Sequence, residues 1–510
     1  MTVSTFVCYQ CSHHPGTSAG SAERRNEMRG RRWVRKWRLD AETDGLSPLP
    51  TRVVSNEEYV PVSQTPEQAR VAALLQETAR ANARRLGVGR RDFLSSSAGM
   101  AAAFLALNTV FGRFFEVDPV EAVESAAADA RKPSGQFIFD VQTHHVAAPR
   151  QFQYLLGLRR VGRAWNPELE KDGGTMEDLY LGNYIKEMFL DSDTTVAVIS
   201  GIPSATEASH ILPPDKMAET RDVINRLAAS QRLITHGLAS PNKGTADLDE
   251  MRRQAADLRI SAWKCYTGLP FGNPPKPWRI DDEKVAYPML EASRRLGIRN
   301  ICLHKGLPLQ GGVEEYWHPR DLERAAKDFP DLNFIVYHSA FHSLRSAMEA
   351  ARDEFRTSSR VDWVTDLCDI RLRNPGLTNI YAELGATFGQ MVITSPLVCG
   401  HVLGMLVQAF GADHVLWGTD SIWWGSPQWQ IEALRRFTMP ESLMKRFGYR
   451  PLTPDVKAQI FGLNGARVYG IDPGLQRNPV PPDYVSKLKA AYLEEGARPS
   501  LTQYGWVLQG

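Results

Sequence analysis

Residues 137–142 read FIFDVQ, a short run of aromatic and branched apolar residues, and from there the texture of the chain changes. Comparable runs recur at 194–202 (TTVAVISGI), 233–239 (LITHGLA), 260–267 (ISAWKCYT), 300–305 (NICLHK), 333–338 (NFIVYH), 379–385 (NIYAELG) and 414–419 (HVLWGT). Between them lie segments of helical period, such as 215–229, 246–258 and 319–329, each with an apolar stripe and a charged remainder. Strand alternating with helix predicts βα units on a parallel sheet. Eight strands are the number that closes a (β/α)8 or TIM barrel. The rival, an open doubly wound sheet, would carry a glycine-rich phosphate turn after its first strand, and none follows residue 142. The predicted class is therefore α/β, a (β/α)8 barrel over 131–475 with a mostly irregular N-terminal extension and a C-terminal tail, 476–510.

The rest of the composition is compatible with that reading. The chain has 510 residues, 43% hydrophobic and 23% charged, enough apolar material for one large core. Lys and Arg total 60 against 58 for Asp and Glu, so no strong positive field draws it to nucleic acid. Its six cysteines, Cys8, Cys11, Cys265, Cys302, Cys368 and Cys399, are too scattered for a disulfide scaffold. Cys265 and Cys302 lie in apolar strand runs, as buried thiols do. Cys8 and Cys11, followed by His13 and His14, have the spacing of half a zinc site, with nothing nearby to complete it.

Residues 1–88 show little apolar periodicity and include a basic run, Arg24 to Arg38, which predicts a solvated, mobile segment. The exception is 65–86, where Ala and Leu fall at helical spacing after a Thr-Pro start. Gly89-Arg90-Arg91-Asp92-Phe93-Leu94 then leads into SSSAGMAAAFLALNTVF. This 89–130 stretch resembles a twin-arginine signal and linker, implying export to the periplasm by that machinery. Against it, the motif starts far from Met1, although Met28 offers a later start, and the small-residue site Ala128-Asp129-Ala130 lies well downstream. The alternative is an ordinary helix in a cytoplasmic protein. The apolar run is shorter than the ~20 residues that cross a bilayer, so no stable span is predicted.

In a parallel barrel the C-terminal strand ends point into the mouth, where chemistry is done. Here they hold Asp140, Gln142 and His144, then Lys264, His304, His338, Glu383 and Asp420. Imidazoles from separate strands plus a carboxylate are what an open metal site requires. Phe139 to His145, Cys302-Leu303-His304, Val336-Tyr337-His338, Leu416 to Asp420 and the closing segment Ile460 to Gly470 resemble, in order and spacing, the amidohydrolase superfamily. Within it they are similar to the family-2 amidohydrolases, which include the aminocarboxymuconate-semialdehyde decarboxylase type.

That resemblance implies one divalent metal, usually zinc, held by a His-x-His pair on strand one, a His on strand five and an Asp on strand eight. His144, His304 and Asp420 become the ligands. His338 becomes the acid/base or carbonyl-polarising group, with Asp420 as proton acceptor for the attacking water. The departure is Gln142, which stands where the first His of the pair belongs and offers an amide oxygen, a weaker zinc donor. His145 points to the other strand face by alternation. Lys264 has two readings: a carboxylated lysine bridging two metals, as in binuclear superfamily members, or a partner of a mouth carboxylate such as Glu383. Asp420 could instead cap the following segment. His236 and His318 carry no metal role in this reading, and Trp423 and Trp424 belong either to the pocket rim or to outer packing.

The implied activity is hydrolysis of an amide, ester or lactone in a small organic molecule. The alternatives are non-oxidative decarboxylation of an aromatic or dienoic acid on the same site, and a barrel that lost its metal at Gln142 and binds without catalysing. The 150–190 stretch is long enough for a lid or a contact between copies of the chain in a homo-oligomer.

Overall fold

Every predicted run overlaps a strand: β1 (Phe139–Thr143), β2 (Val196–Ile199), β3 (Leu233–Thr235 with Gly237–Leu238), β4 (Trp263–Tyr266), β5 (Asn300–His304), β6 (Asn333–Tyr337), β7 (Ile380–Glu383) and β8 (Val415–Leu416). The computed structural model describes residues 32–43, 46–55, 62–133, 135–147, 179–205, 210–309, 312–343, 359–474, 483–499, 501 and 505–509. These eight strands pair in parallel, β1 to β2 to β3 in one ladder and β3 through β8 in the other. The ladders meet within β3, where Leu233–Thr235 pairs with β2, Gly237–Leu238 pairs with β4, and His236 lies between.

The remaining seam joins β8 to β1. Val141 N–H donates to Trp417 O at 2.9 Å and Asp420 N–H to Gln142 O at 3.0 Å, and Thr143 bridges Ser421 in parallel. The sheet thus closes on itself as an eight-stranded barrel. The strands are buried on both faces, which is why they read as continuous apolar runs rather than alternating ones.

Helices Pro214–Ala228, Thr245–Asp257, Ala286–Arg295, Leu322–Asp328, Val364–Arg373 and Pro396–Phe410 follow the strands around the outside. A short helix, Asn464–Tyr469, closes the barrel floor. Gly462 and Gly465 let this end approach β1 closely, since a Cβ at either would lie 2.6 and 2.9 Å from Phe137 and Phe139. Tyr469 sends its hydroxyl up the interior to His236 Nε2 at 3.0 Å. His236, expected to carry no metal role, is held inside the barrel between that hydroxyl and Ser200 Oγ. His318 sits outside, pairing with Asp366 at 3.1 Å.

Ahead of the barrel lies a helical layer. The helix foreseen at 65–86 is α1 (Pro66–Leu86), opened by a reciprocal cap in which Thr65 Oγ1 accepts from Gln68 N–H and Gln68 Oε1 from Thr65 N–H. After α2 (Arg90–Ser95) comes α3 (Ser97–Phe111), the apolar part of the signal-like stretch. It is folded against the domain, with Ala98, Ala101, Ala102, Ala103, Phe104, Ala106 and Leu107 buried in the core. Gly99 permits the tight α2–α3 crossing, because a Cβ there would meet Phe93 O at 2.3 Å. The layer is tied to the barrel: Gln68 Nε2 donates to Ile393 O, Phe115 bridges Phe437, and Glu121 pairs with Arg436 at 2.7 Å, both nearly buried. Among the described residues no helix is long and apolar enough to cross a membrane.

The expected C-terminal tail contains a helix, Tyr484–Glu494, clasped by Arg232 against Asp483 at 2.5 Å, and a strand, Trp506–Gln509. That strand pairs antiparallel with Arg32–Arg35, so the first and last described elements meet. Cys8, Cys11, His13, His14, Met28, the first part of the basic run and most of 150–190 lie outside the described residues.

Candidate active site

The strand ends bring His144, His304, His338 and Asp420 together as two facing pairs. His144 Nε2 stands 3.1 Å from Asp420 Oδ1, and His304 Nδ1 stands 3.2 Å from His338 Nε2. All four residues are almost fully buried. Among the described residues, no three His, Cys, Asp or Glu side chains close on one point as ligands, so the pairs stand as separate arms.

What lies behind each ring decides what it can do in front. His144 Nδ1 is 2.8 Å from Ser200 O, His304 Nε2 is 3.1 Å from Leu307 O, and His338 Nδ1 is 2.8 Å from Gly385 O. A carbonyl only accepts, so each of these nitrogens carries a hydrogen, and in a neutral ring the opposite nitrogen is a lone pair. With burial keeping His304 and His338 neutral, their front nitrogens are lone pairs, and His144 Nε2 faces the Asp420 carboxylate. Burial holds His304 well below the usual imidazole range, with neighbouring His338 and Lys264 adding to it. Burial likewise takes His338 down to about 4, against an opposing pull from Asp420. At neutral pH no proton sits between His304 and His338. The arrangement is one that a cation would satisfy.

Gln142 adds to this. Its Nε2 donates to Asp420 Oδ1 at 2.9 Å, while its Oε1 is buried with no hydrogen-bond partner among the described residues. Gln142 and His144 thus reach the same carboxylate oxygen, as two residues apart on one strand face should. His145 turns away, its Nε2 2.8 Å from Thr220 Oγ1 and its ring beside Tyr184, and burial lowers it to about 4.

Asp140 departs from expectation. It was placed with Gln142 and His144 at the mouth, but it accepts from the N–H of Thr419 and of Gln142, each at 3.1 Å, and from the Thr419 hydroxyl. A register shift between Asp140 and Thr143 breaks simple alternation here, so Asp140 latches the closing seam instead. Burial raises it to about 7.

Lys264 lies fully buried with Nζ 3.4 Å from the centre of the Tyr337 ring. Its charge opposes the effect of burial on Glu383, which burial nonetheless raises to about 8. Trp423 belongs to the site wall, stacked on His144 with ring centres 5.8 Å apart, and Trp424 is buried. Two wall residues went unread in the sequence. Tyr266 stacks on His304 at 4.4 Å and Trp317 meets it edge-on at 5.1 Å. Tyr266 follows Lys264 by two on the same strand, which was a usable signal; Trp317 has none.

A family model described as amidohydrolase matches residues 201–471, more than half of the chain. No curated protein matches it. Among solved structures it is similar to an uncharacterised TIM-barrel protein from Bordetella bronchiseptica, 17% identical, TM-score 0.42, covering 67% of this chain and 99% of that one. It is also similar to 5-carboxyvanillate decarboxylase from Sphingomonas paucimobilis, 15% identical, TM-score 0.42, covering 66% and 100%. A third is 5-carboxyvanillate decarboxylase from Novosphingobium aromaticivorans with bound manganese, 13% identical, TM-score 0.40, covering 66% and 98%.

Proposed function

The chain belongs to the family-2 amidohydrolases, and from that premise we propose that it is a metal-dependent hydrolase of a small amide, ester or lactone. One observation carries the reading: the carbonyls of Ser200, Leu307 and Gly385 orient three buried imidazoles so that their opposite nitrogens face each other and Asp420.

The donors fit a divalent cation. His144 Nε2, His304 Nδ1 and the Asp420 carboxylate would hold it, and the orphaned Gln142 Oε1 is a neutral fourth donor. Zinc is the ion the imidazoles favour, and the amide oxygen moves the preference towards manganese. When bound, such an ion supplies Lewis-acid polarisation of the scissile carbonyl.

The protein supplies the proton path. Because His338 gives its Nδ1 hydrogen to Gly385 O, its Nε2 accepts rather than donates, so His338 is a proton acceptor and not the initial oxyanion donor. Asp420 or His338 takes a proton from the attacking water as its oxygen bonds to the carbonyl carbon. The resulting acid returns that proton to the leaving oxygen or nitrogen as the bond to carbon breaks. Tyr266, Trp317 and Trp423 wall the site and exclude bulk water from the transfer. Decarboxylation on the same site would instead need a buried acid to protonate the carbon as carbon dioxide leaves, and burial makes His338 a poor one, lowering it to about 4.

The test is elemental analysis with an ester, lactone and carboxylic acid panel. The expected result is one zinc or manganese per chain and ester or lactone turnover abolished by chelation. The rate should rise with pH through about 4, since the base form of a lowered imidazole accumulates above its pKa, and then hold. No bound metal together with no turnover would leave only a binding protein. Release of carbon dioxide, fastest in acid, would replace hydrolysis by decarboxylation.

We also propose export through Arg90-Arg91, in the form that the packing of α3 favours: the chain travels folded and keeps Ser97–Phe111. N-terminal sequencing after cell fractionation tests it. A periplasmic chain beginning before residue 97 is expected, and a wholly cytosolic one overturns it.

A further inference from the structure

Glu383, at the end of β7, has no part in the reaction as described so far, yet it and the residues just after it grip three of the four polar points of His338. Glu383 is fully buried, and its Oε2 accepts from the backbone N–H of His338 at 3.0 Å. Its Oε1 accepts from Gly385 N–H at 2.6 Å, and the carbonyl of the same Gly385 accepts from His338 Nδ1 at 2.8 Å. Thr387 Oγ1 donates to His338 O at 2.8 Å, and Ser339 Oγ donates to the backbone oxygen of Glu383 at 2.7 Å.

This grip restrains an unfavourable backbone. His338, Ser339 and Ala340 have φ of 63°, 48° and 57°, three successive non-glycine residues in the left-handed region. Such a run persists only where its surroundings over-determine it. The socket for the carboxylate is also built in: a Cβ on Gly418 would lie 1.7 Å from Glu383 Oε1, and one on Gly385 would lie 2.6 Å from it. Two strand ends give up side chains so that this carboxyl fits beneath His338.

We propose that Glu383 is the positioning residue for His338, setting the direction of its Nε2 by accepting both from its backbone N–H and from the N–H of Gly385, the residue whose carbonyl stands behind its Nδ1. A buried carboxyl that merely fills space would contact one of these groups; this one links both. The proposal rests on the proton-acceptor role given to His338 above.

Glu383→Gln keeps the shape but replaces one acceptor oxygen with an NH2 that faces a buried N–H. The expected result is a kcat lower by about 10- to 100-fold with KM within about two-fold, the size of a small misplacement of a reacting group. Metal content should stay at the wild-type level, since the proposed ligands lie on β1, β5 and β8. The second readout is nitrogen NMR of histidine-labelled protein, with His338 assigned by its loss in His338→Asn. It should show a single Nδ1–H tautomer in the wild type and a mixture in the variant. This measurement needs no substrate, so it separates failure of the proposal from failure of the hydrolase reading. Unchanged His338 resonances would overturn it, whatever the activity. If Glu383→Gln does not fold, Glu383→Asp, which keeps two acceptors on a shorter stem, is expected to give the same tautomer mixture, and an unchanged spectrum there overturns it equally.

Discussion

Asp420→Asn lowers kcat/KM about 10³-fold, within the range for loss of a group that both binds the cation and moves the proton, and it does so without unfolding the protein. The fold should survive because Asn tolerates the left-handed φ of 60° at this position better than most residues do. The hydrogen bond from Gln142 Nε2, 2.9 Å to Oδ1, can pass to the amide oxygen. The same Oδ1 faces His144 Nε2 at 3.1 Å, so the amide oxygen that keeps the Gln142 bond also stands before His144, as a neutral and weaker donor to a cation than the carboxylate it replaces. Metal content should therefore fall together with rate. Thermal midpoint, elemental analysis and turnover on one sample check all three. A variant retaining activity within ten-fold and its metal would remove Asp420 from the chemistry and leave it a cap.

The second large effect concerns the N-terminal layer. A chain beginning at residue 131, the product that cleavage after Ala128-Asp129-Ala130 would leave, is expected to be insoluble or to bind hydrophobic dye strongly. It would lose the partners of Phe437, whose ring packs against Phe115 at 5.7 Å and Phe114 at 6.2 Å, and of Arg436, whose charge is matched by Glu121. It would also lose the cover that Val71, Leu75, Phe93, Leu94, Phe104 and Leu107 give to one flank of the core. Each large apolar side chain on the bared barrel face costs about 1.5–3 kcal/mol when fully returned to water, and a whole domain is stable by only about 5–15 kcal/mol. A few such residues exhaust the margin. Soluble expression, size-exclusion chromatography and dye binding of the shortened chain are the measurements; a monodisperse, fully active protein would show that the layer is dispensable.

The barrel was legible because buried parallel strands leave short β-branched and aromatic runs at regular intervals, and the mouth residues because they end those runs. Strand-end position marks eight polar residues, and the family resemblance singles out His144, His304, His338 and Asp420 among them. Three things were not legible. Asp140 obeys alternation in the sequence but sits beside a register shift in the β1–β2 ladder and takes its partners from Thr419 across the β8–β1 seam. The backbone carbonyls that choose the tautomers belong to Ser200, Leu307 and Gly385, and a carbonyl is common to every residue, so no sequence pattern marks it. Helix α3 resembled a leader because it is apolar on nearly all sides, and a helix buried on nearly all sides looks the same. Glu383 was visible at its strand end, but its link to His338 depends on the left-handed turn after β6.

The pairing of Arg32–Arg35 with Trp506–Gln509 has a mechanical consequence. Arg32 stands opposite Gln509 and Arg35 opposite Trp506, with the Arg35 guanidinium 4.3 Å over the Trp506 ring at the inner end of the ladder. In this antiparallel arrangement both outgoing chain directions leave from the same side. Tension applied through the termini would load the rungs in succession from Arg32 inward, peeling the ladder open as a zipper. The barrel strands, joined sideways in a closed ring, would bear no load until that ladder had parted.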